Sequence, residues 1–269
     1  MTVRTKVLAA FLAALALAGC APGSGLDRGA TETSAHAPST DPRPTPPSSG
    51  PSTGPSPAPS ARPSATRPPE PPRAEARILP LPSRQWRRMV AVGMWRPGCP
   101  ATRDVLRRVE VNHWDFQGKV RRGVLVVNRD VAPSIARIFT RLFERRFPIR
   151  KMVPTEHYRG DSDASLRDDN TSAYNCRRPE QINAPPTRSP HANGRAIDIN
   201  PRENPWRDPR CRCWSPTGRY HARVEAPGRI VKGGLVWRAF VREGWIWQDI
   251  DVPDYMHFDT GYPTEPVHG

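Results

Sequence analysis

Two histidines and two aspartates in two short motifs have the side chains that a catalytic metal site requires. His191 and Asp198 are seven positions apart, with Gly194 between them. Asp254 precedes His257 by three positions near the C-terminus. Zinc in hydrolases commonly takes three ligands from His, Asp and Glu and keeps a fourth position for water, whose proton a nearby carboxylate can take. We therefore expect His191, Asp198 and His257 to bind Zn²⁺. Asp254 is the candidate general base.

Each of these residues alone also has an ordinary structural interpretation. His191 follows a proline and could lie at the surface, and Asp198 could cap a turn. The surrounding pattern favours a site, because Ile197 and Ile199 alternate with Asp198. A strand at 194–200 would send both isoleucines into the core and Asp198 into a cleft.

The order of the helix-like and strand-like patterns around these motifs predicts an α+β domain with a small antiparallel sheet and flanking helices. Strand-like runs at 105–116 and 119–127 meet at a Gln-Gly pair, which indicates a hairpin. A long polar region at 158–188 predicts a functional loop. Further short strands are expected at 245–247 and 257–259, so Asp254 should lie in the turn before the last strand.

Three helices are expected in the same domain. One begins at Ser83, and one spans 235–243 before Gly244. The helix between them should be capped by Asp130, carry Pro133 in its first turn and end before a second proline. Its apolar residues recur at helical spacing and predict a buried face: Ile135, Ile138, Phe139, Leu142 and Phe143.

The N-terminus has the pattern of an export signal. Arg4 and Lys6 precede an apolar run at 7–18, which is shorter than the ~20 residues that a membrane-spanning helix needs. The run ends in Leu-Ala-Gly-Cys20 and resembles a bacterial lipobox, in which the cysteine is lipidated. We expect residues 1–19 to be a lipoprotein signal peptide and Cys20 to anchor the chain to the extracytoplasmic face of a bacterial membrane. An ordinary signal peptide with an incidental Cys20 is the alternative.

Residues 20–77 are predicted to be a disordered tether rich in Pro, Ser and Thr, leaving 78–269 as the folded domain. Between residues 21 and 77 the only large aliphatic or aromatic residue is Leu26. Such a segment buries too little apolar surface to offset its chain entropy.

The net charge of +15 indicates an anionic partner. An exported protein meets cell-wall polymers or lipid headgroups, and the sequence has no recognisable nucleic-acid-binding motif. We therefore expect no nucleic-acid partner.

Four cysteines remain beyond Cys20, and outside the cytoplasm they favour disulfides. Cys211 and Cys213 are too closely spaced to favour a mutual bond, so each is expected to pair with Cys99 or Cys176. A cysteine-ligated zinc site is the alternative.

The two motifs together resemble the M15 family of zinc D,D-peptidases, with a likeness that runs from about residue 99 to 259. The residues that carry it are Ser189, His191, Gly194, Ala196 and Asp198, followed by Asp254, His257 and Phe258. Residues 240–247 are similar to the family's Gly-Trp-x-Trp segment. The family includes D-alanyl-D-alanine carboxypeptidases and L-alanyl-D-glutamate endopeptidases of peptidoglycan.

The resemblance implies a fold shared with the hedgehog signalling domain, zinc on the three ligands named above and peptidoglycan peptides as substrate, and we expect a monomer. Arg177 matches a substrate-contacting arginine of the family, and Ser189 is a second candidate for substrate binding. Asp254 stands where the carboxypeptidase branch usually has Glu, and Asp there is more like the endopeptidase branch. Carboxypeptidase and endopeptidase both stay open. The alternative function is a weak or inactive cell-wall-binding module of the same fold.

Overall fold

Three small antiparallel sheets and four α-helices are found in the part of the chain that the structure describes. The computed structural model describes residues 70–177 and 189–261. The first sheet has the strand order β1 (Arg77–Pro80), β2 (Leu106–Trp114), β3 (Val120–Asn128). The second has the order β4 (Ala196–Asp198), β8 (His257–Asp259), β7 (Ile246–Trp247), and the third pairs β5 (Trp206–Asp208) with β6 (Cys213–Ser215). The α+β class and the small antiparallel sheet are confirmed, whereas the hedgehog-like shape stays a prediction.

The hairpin of β2 and β3 forms one wall of the core, as predicted. Leu106 pairs with Asn128 and Val109 with Leu125 across the two strands. The turn between them is held by Asp115, whose Oδ1 accepts from the backbone N–H of Gln117 at 2.9 Å. Val109 and Val111 of β2 and Leu125 and Val127 of β3 are buried in one apolar cluster, because successive side chains of a strand point to opposite faces. Val126, on the opposite face, is buried in a second cluster.

Helix α2 (Ala132–Glu144) packs against this sheet through the expected apolar face, and all five of its predicted core residues are buried. The prediction that Asp130 caps the helix is wrong. Val131 stands at the N-cap position without a side-chain hydrogen bond. The Asp130 carboxylate instead accepts from Arg195 Nε at 2.9 Å and Nη2 at 2.7 Å. The ion pair with Arg195, which is distant along the chain, therefore replaces the hydrogen bond that a helix cap would make.

Helix α1 (Ser83–Ala91) and helix α4 (Leu235–Val241) lie where the sequence placed them, although α1 has no side-chain cap. Helix α4 supports the second sheet through its aromatic face. Phe240 stacks on Phe258 with ring centroids 4.1 Å apart and meets Phe139 of helix α2 edge-on at 6.5 Å. These rings fix the position of β8, the strand that carries His257.

Packed structure begins before residue 78. Ala74 is buried, its carbonyl accepts from the Asn112 N–H at 2.7 Å, and β1 starts at Arg77. The signal peptide, Cys20 and residues 20–69 of the predicted tether lie outside the described residues. Within the described ranges no helix is long and apolar enough to cross a membrane.

The expected loop at 158–188 contains regular structure. A 3₁₀ turn (Thr155–Tyr158) leads into helix α3 (Ser162–Arg167). Asp161 caps this helix, accepting from the Ala164 N–H at 3.0 Å. Residues 178–188 of the expected loop lie outside the described residues.

The disulfide prediction is wrong, because Cys99 bonds to Cys176 and Cys211 bonds to Cys213. The close pair becomes possible because Arg212 adopts a left-handed backbone with φ +53°. That turn leaves the two Cα atoms 5.1 Å apart, within the range that disulfides allow. Because the four cysteines of the described residues all form disulfides, none of them has a thiolate free to bind zinc.

Candidate metal centre

The pairing of β4 with β8 brings the two sequence motifs together. Asp198 is in register with His257, and His191 lies in the turn that leads into β4. One ligand atom from each of these three residues lies within 4.8 Å of the other two, and all three residues are buried. Among the described residues, this is the group of His, Cys, Asp and Glu side chains that could hold a metal ion.

Gly194 lets the turn that carries His191 dock closely on the hairpin. Its φ of +70° is left-handed, and a Cβ atom there would lie 2.7 Å from the backbone nitrogen of Asn128. The Gly194 carbonyl accepts from that N–H at 2.8 Å. Asn128 Nδ2 donates to the Asn193 carbonyl at 3.1 Å, so the turn is fixed from both sides.

Hydrogen bonds select one tautomer for each imidazole. His191 Nδ1 lies 2.6 Å from the Ala173 carbonyl, which can only accept, so Nδ1 carries the proton and Nε2 has the free lone pair. His257 Nε2 lies 3.1 Å from Asp259 Oδ2, which in the same way leaves Nδ1 with a lone pair. Asp259 is itself fixed by Gln248 Nε2 at 2.7 Å and the Gly261 N–H at 2.8 Å. Outer carboxylates of this kind orient histidine ligands of metals.

The two imidazole nitrogens with free lone pairs and the Asp198 oxygens face one point, and the distances between them fit the ligands of a zinc ion. His191 Nε2 and His257 Nδ1 are 3.1 Å apart, and they lie 3.2 Å and 3.0 Å from the Asp198 oxygens. Ligands at ~2.0–2.1 Å from a tetrahedral ion would be about 3.3–3.4 Å from one another. The two nitrogen lone pairs and the carboxylate are all hydrogen-bond acceptors, so they cannot bind one another directly. A cation or an added proton must therefore lie between them. The residues present therefore fit Zn²⁺.

The charges of the cluster show the same attraction for a cation. Burial raises the pKa of Asp198, but His191 and His257 outweigh burial and hold the pKa below its ordinary value. Burial lowers the pKa of His257, but its hydrogen bonds to Asp198 and Asp259 outweigh burial and raise the pKa to about 10. Metal and proton therefore compete for the same lone pair.

Asp254 lies in the turn before β8 and lines the same cleft as His191 and Asp198. Its Oδ1 is buried and has no hydrogen-bond partner among the described residues. Burial raises the pKa of Asp254 to about 7, while the charge of His257 lowers it and that of Asp198 raises it. Its backbone is held by the His257 N–H, which donates to the Asp254 carbonyl at 3.0 Å. A buried carboxylate beside the cluster is placed to exchange a proton there.

The two predicted substrate-binding residues differ in placement. Arg177 lines the cleft, where the charges of Asp198 and Asp254 act on its guanidinium, and burial lowers its pKa. The disulfide at the preceding Cys176 ties this segment down. Ser189 is buried but is not among the described residues that line the cleft. Its carbonyl accepts from Asn193 Nδ2 at 3.0 Å, which fits a role in shaping the turn.

The sequence patterns did not single out Trp206 or Asp259. Trp206 lines the cleft, and its buried Nε1 has no partner among the described residues. Its ring faces Arg210, whose Nη2 donates to Asp208 Oδ2 at 2.6 Å. No local pattern marks such a tryptophan. Asp259 did carry a signal, because it lies two residues after His257 in a predicted strand and so shares its face.

A comparison with protein families agrees with this geometry. Residues 183–260 match the family model described as D-alanyl-D-alanine carboxypeptidase. The matched range contains the three clustered residues, Trp206 and Asp254, and it excludes β1 to β3 and helices α1 to α3. No curated protein and no solved structure matches the chain significantly. The matched segment supports a D-alanyl-D-alanine carboxypeptidase-like domain of the M15 type in this chain.

Proposed function

We propose that this chain is a zinc-dependent peptidase that hydrolyses a peptide bond in the stem peptide of peptidoglycan. The observation that carries the proposal is the convergence of two imidazole lone pairs and the Asp198 carboxylate beside the buried Asp254. His191, Asp198 and His257 hold the metal. When bound, zinc acidifies a water molecule and polarises the carbonyl of the bond that is cut.

Asp254 moves the proton in the proposed reaction. Its unpartnered Oδ1 accepts the proton of the attacking water and then donates it to the leaving amine. The raised pKa suits both steps, because a group with a pKa near the working pH can take up and release a proton readily. The aspartate reaches the cleft from a turn, which compensates for a side chain one methylene shorter than glutamate.

Arg177 and Trp206 bind the oxygen atoms of the substrate. The Arg177 guanidinium can hold a carboxylate with two parallel hydrogen bonds, which suits a stem peptide with a free carboxylate. The Trp206 indole N–H is a buried donor that a substrate carbonyl or carboxylate would satisfy. Leaving such a group unpaired costs stability, so its position in the cleft wall favours a ligand acceptor.

The proposed substrate and the N-terminal pattern both support a location outside the cytoplasm. In this proposal Cys20 carries a lipid, the tether spans the distance to the wall, and the domain acts there as a monomer without nucleic acid. Labelling the full chain with a radioactive fatty acid tests the anchor. Incorporation should be lost in Cys20→Ser, and incorporation that persists in this variant contradicts the lipidation site.

Digestion of purified muropeptides by the zinc-loaded protein tests the activity and identifies the bond. Mass spectrometry separates loss of a terminal D-alanine, the carboxypeptidase product, from cleavage after the first L-alanine, the endopeptidase product. Tight binding of muropeptides without any change in mass would reject the peptidase and favour the wall-binding module.

A further inference from the structure

A second pocket lies next to helix α3 and shares no lining residue with the cleft at the metal centre. Ser165 and Leu166 of this helix line the catalytic cleft, whereas Arg167 lines the second pocket. Three separate segments contribute to the second pocket, which is lined by Arg167, Arg202, Pro216, Thr217, Arg219 and Tyr220. We call it the arginine pocket. Three guanidinium groups share its wall, and no acidic residue lines it.

The nearby carboxylates are all bound to other cations. Asp169 Oδ2 accepts from Arg150 Nε at 2.6 Å, and Glu203 Oε1 accepts from Arg150 Nη2 at 3.0 Å. Asp168 is paired with Lys151. Neither Arg167 nor Arg202 has an ion pair within the described parts of the chain. These three carboxylates face two other cations, Arg150 and Lys151, which leaves one negative charge beside three lining arginines, so the pocket keeps a net positive charge.

The rest of the lining adds hydroxyl groups and a positioned ring. Thr217 Oγ1 accepts from the Arg219 N–H at 3.3 Å and keeps its own proton to donate. The guanidinium carbons of Arg219 and Arg229 lie 5.3 Å and 5.1 Å from the centre of the Tyr220 ring. Guanidinium forks match the oxygen geometry of phosphate and carboxylate groups. A phosphomonoester has three free oxygens and a charge of about −1.5 to −2, so it offers three arginines more acceptor sites and more negative charge than a carboxylate with two oxygens.

We propose that the arginine pocket binds a phosphomonoester group on a soluble carbohydrate. Binding to a membrane surface requires large apolar side chains that enter the bilayer next to the charged ones. Tyr220 is the only large non-polar ring among the residues that line this pocket, so a soluble ligand fits better than a lipid. Pro216 and the part of Tyr220 that lines the pocket supply apolar contact for a sugar ring. This proposal does not depend on the peptidase activity, since the pocket shares no lining residue with the metal centre.

Calorimetric titration of the full chain tests the proposal with three soluble probes: inorganic phosphate, glucose 6-phosphate and glucuronate. We expect both phosphates to bind and glucose 6-phosphate to bind at least about tenfold more tightly than glucuronate. The double variant Arg167→Gln/Arg202→Gln should lose at least about tenfold in affinity for glucose 6-phosphate. Arg84→Gln/Arg87→Gln removes the same charge from exposed positions of helix α1 and should change that affinity less than about twofold.

Three results would overturn the proposal. One is an equal loss in the pocket and control variants, which would show general attraction to a basic protein. Another is glucuronate binding as tightly as glucose 6-phosphate. The third is binding to vesicles of phosphatidylcholine with phosphatidic acid when the sugar phosphate does not bind. The phosphate group that the pocket recognises would then belong to a lipid headgroup. Thermal denaturation of each variant checks that it is folded.

Discussion

Replacing Asp259 by Asn tests whether the carboxylate behind His257 positions the metal ligand. Asp259 Oδ2 accepts from both His257 Nε2 and Gln248 Nε2, while Oδ1 accepts from the Gly261 N–H. An asparagine has nearly the same shape but must place an NH₂ group at one of these positions. Either placement sets donor against donor, at His257 and Gln248 or at the Gly261 N–H. Both placements also remove the negative charge beside the His257 imidazole, so the substitution weakens the support of His257 without opening a cavity.

The expected loss in zinc affinity follows from that contact. If the NH₂ group faces His257, the imidazole must turn its lone pair to Nε2 and protonate Nδ1, the atom that points at His191 and Asp198. Removing such outer partners typically weakens metal binding by about 10- to 100-fold. This range corresponds to about 1.4–2.7 kcal/mol in binding free energy.

Competition with a chromophoric chelator measures the zinc dissociation constant of each variant. Asp251→Asn is the matched control, because it makes the same change at an exposed position of the neighbouring loop. We expect the control to bind zinc like the unmodified chain. Unchanged affinity in Asp259→Asn, or the same loss in Asp251→Asn, would refute the positioning role.

Three further predictions follow from the same contacts. Because burial raises the pKa of Asp254 and only its ionised form is a base, kcat/KM should rise with pH through a midpoint well above the ordinary value of about 4; a midpoint near that value in a pH–rate profile would contradict this role. Gly194→Ala should destabilise the domain by about 1–3 kcal/mol in urea denaturation, because the position is left-handed and a Cβ would meet Asn128, and an unchanged midpoint would speak against this. Trp206→Phe keeps an aromatic ring, though a smaller one, but loses the indole N–H, so KM for a muropeptide should rise about three- to tenfold. Trp214→Phe, on the partner strand β6, is the control. An equal rise in KM in this control would contradict a hydrogen bond from the Trp206 indole N–H to the substrate.

Local sequence patterns predicted the parts of the site that depend on short-range geometry. The alternation around Asp198 placed that residue in the cleft, and Ile197 and Ile199 are fully buried. The motif with Asp254 and His257 fits a turn that enters a strand. Periodicity of two residues in strands and about 3.6 in helices is encoded in neighbouring positions, so one sequence is enough to read it.

Contacts between distant segments were not predictable in the same way. Asp130 has the residue type of a helix cap, but Arg195, which is 65 residues away along the chain, binds its carboxylate instead. Arg212 is not a residue type expected in a left-handed turn, and this turn allowed the Cys211–Cys213 bond. The unpartnered indole of Trp206 is visible only once the cleft exists.

The central claim is that Asp254 transfers protons beside a metal held by His191, Asp198 and His257. Turnover of one muropeptide per bound zinc ion, compared between the unmodified chain and Asp254→Asn, tests it most directly. We predict equal zinc content in both proteins and a turnover about 10²- to 10⁴-fold lower in the variant, the usual contribution of a general base. A variant that binds zinc and retains turnover, or an unmodified zinc-loaded protein that cleaves no muropeptide, would contradict the account.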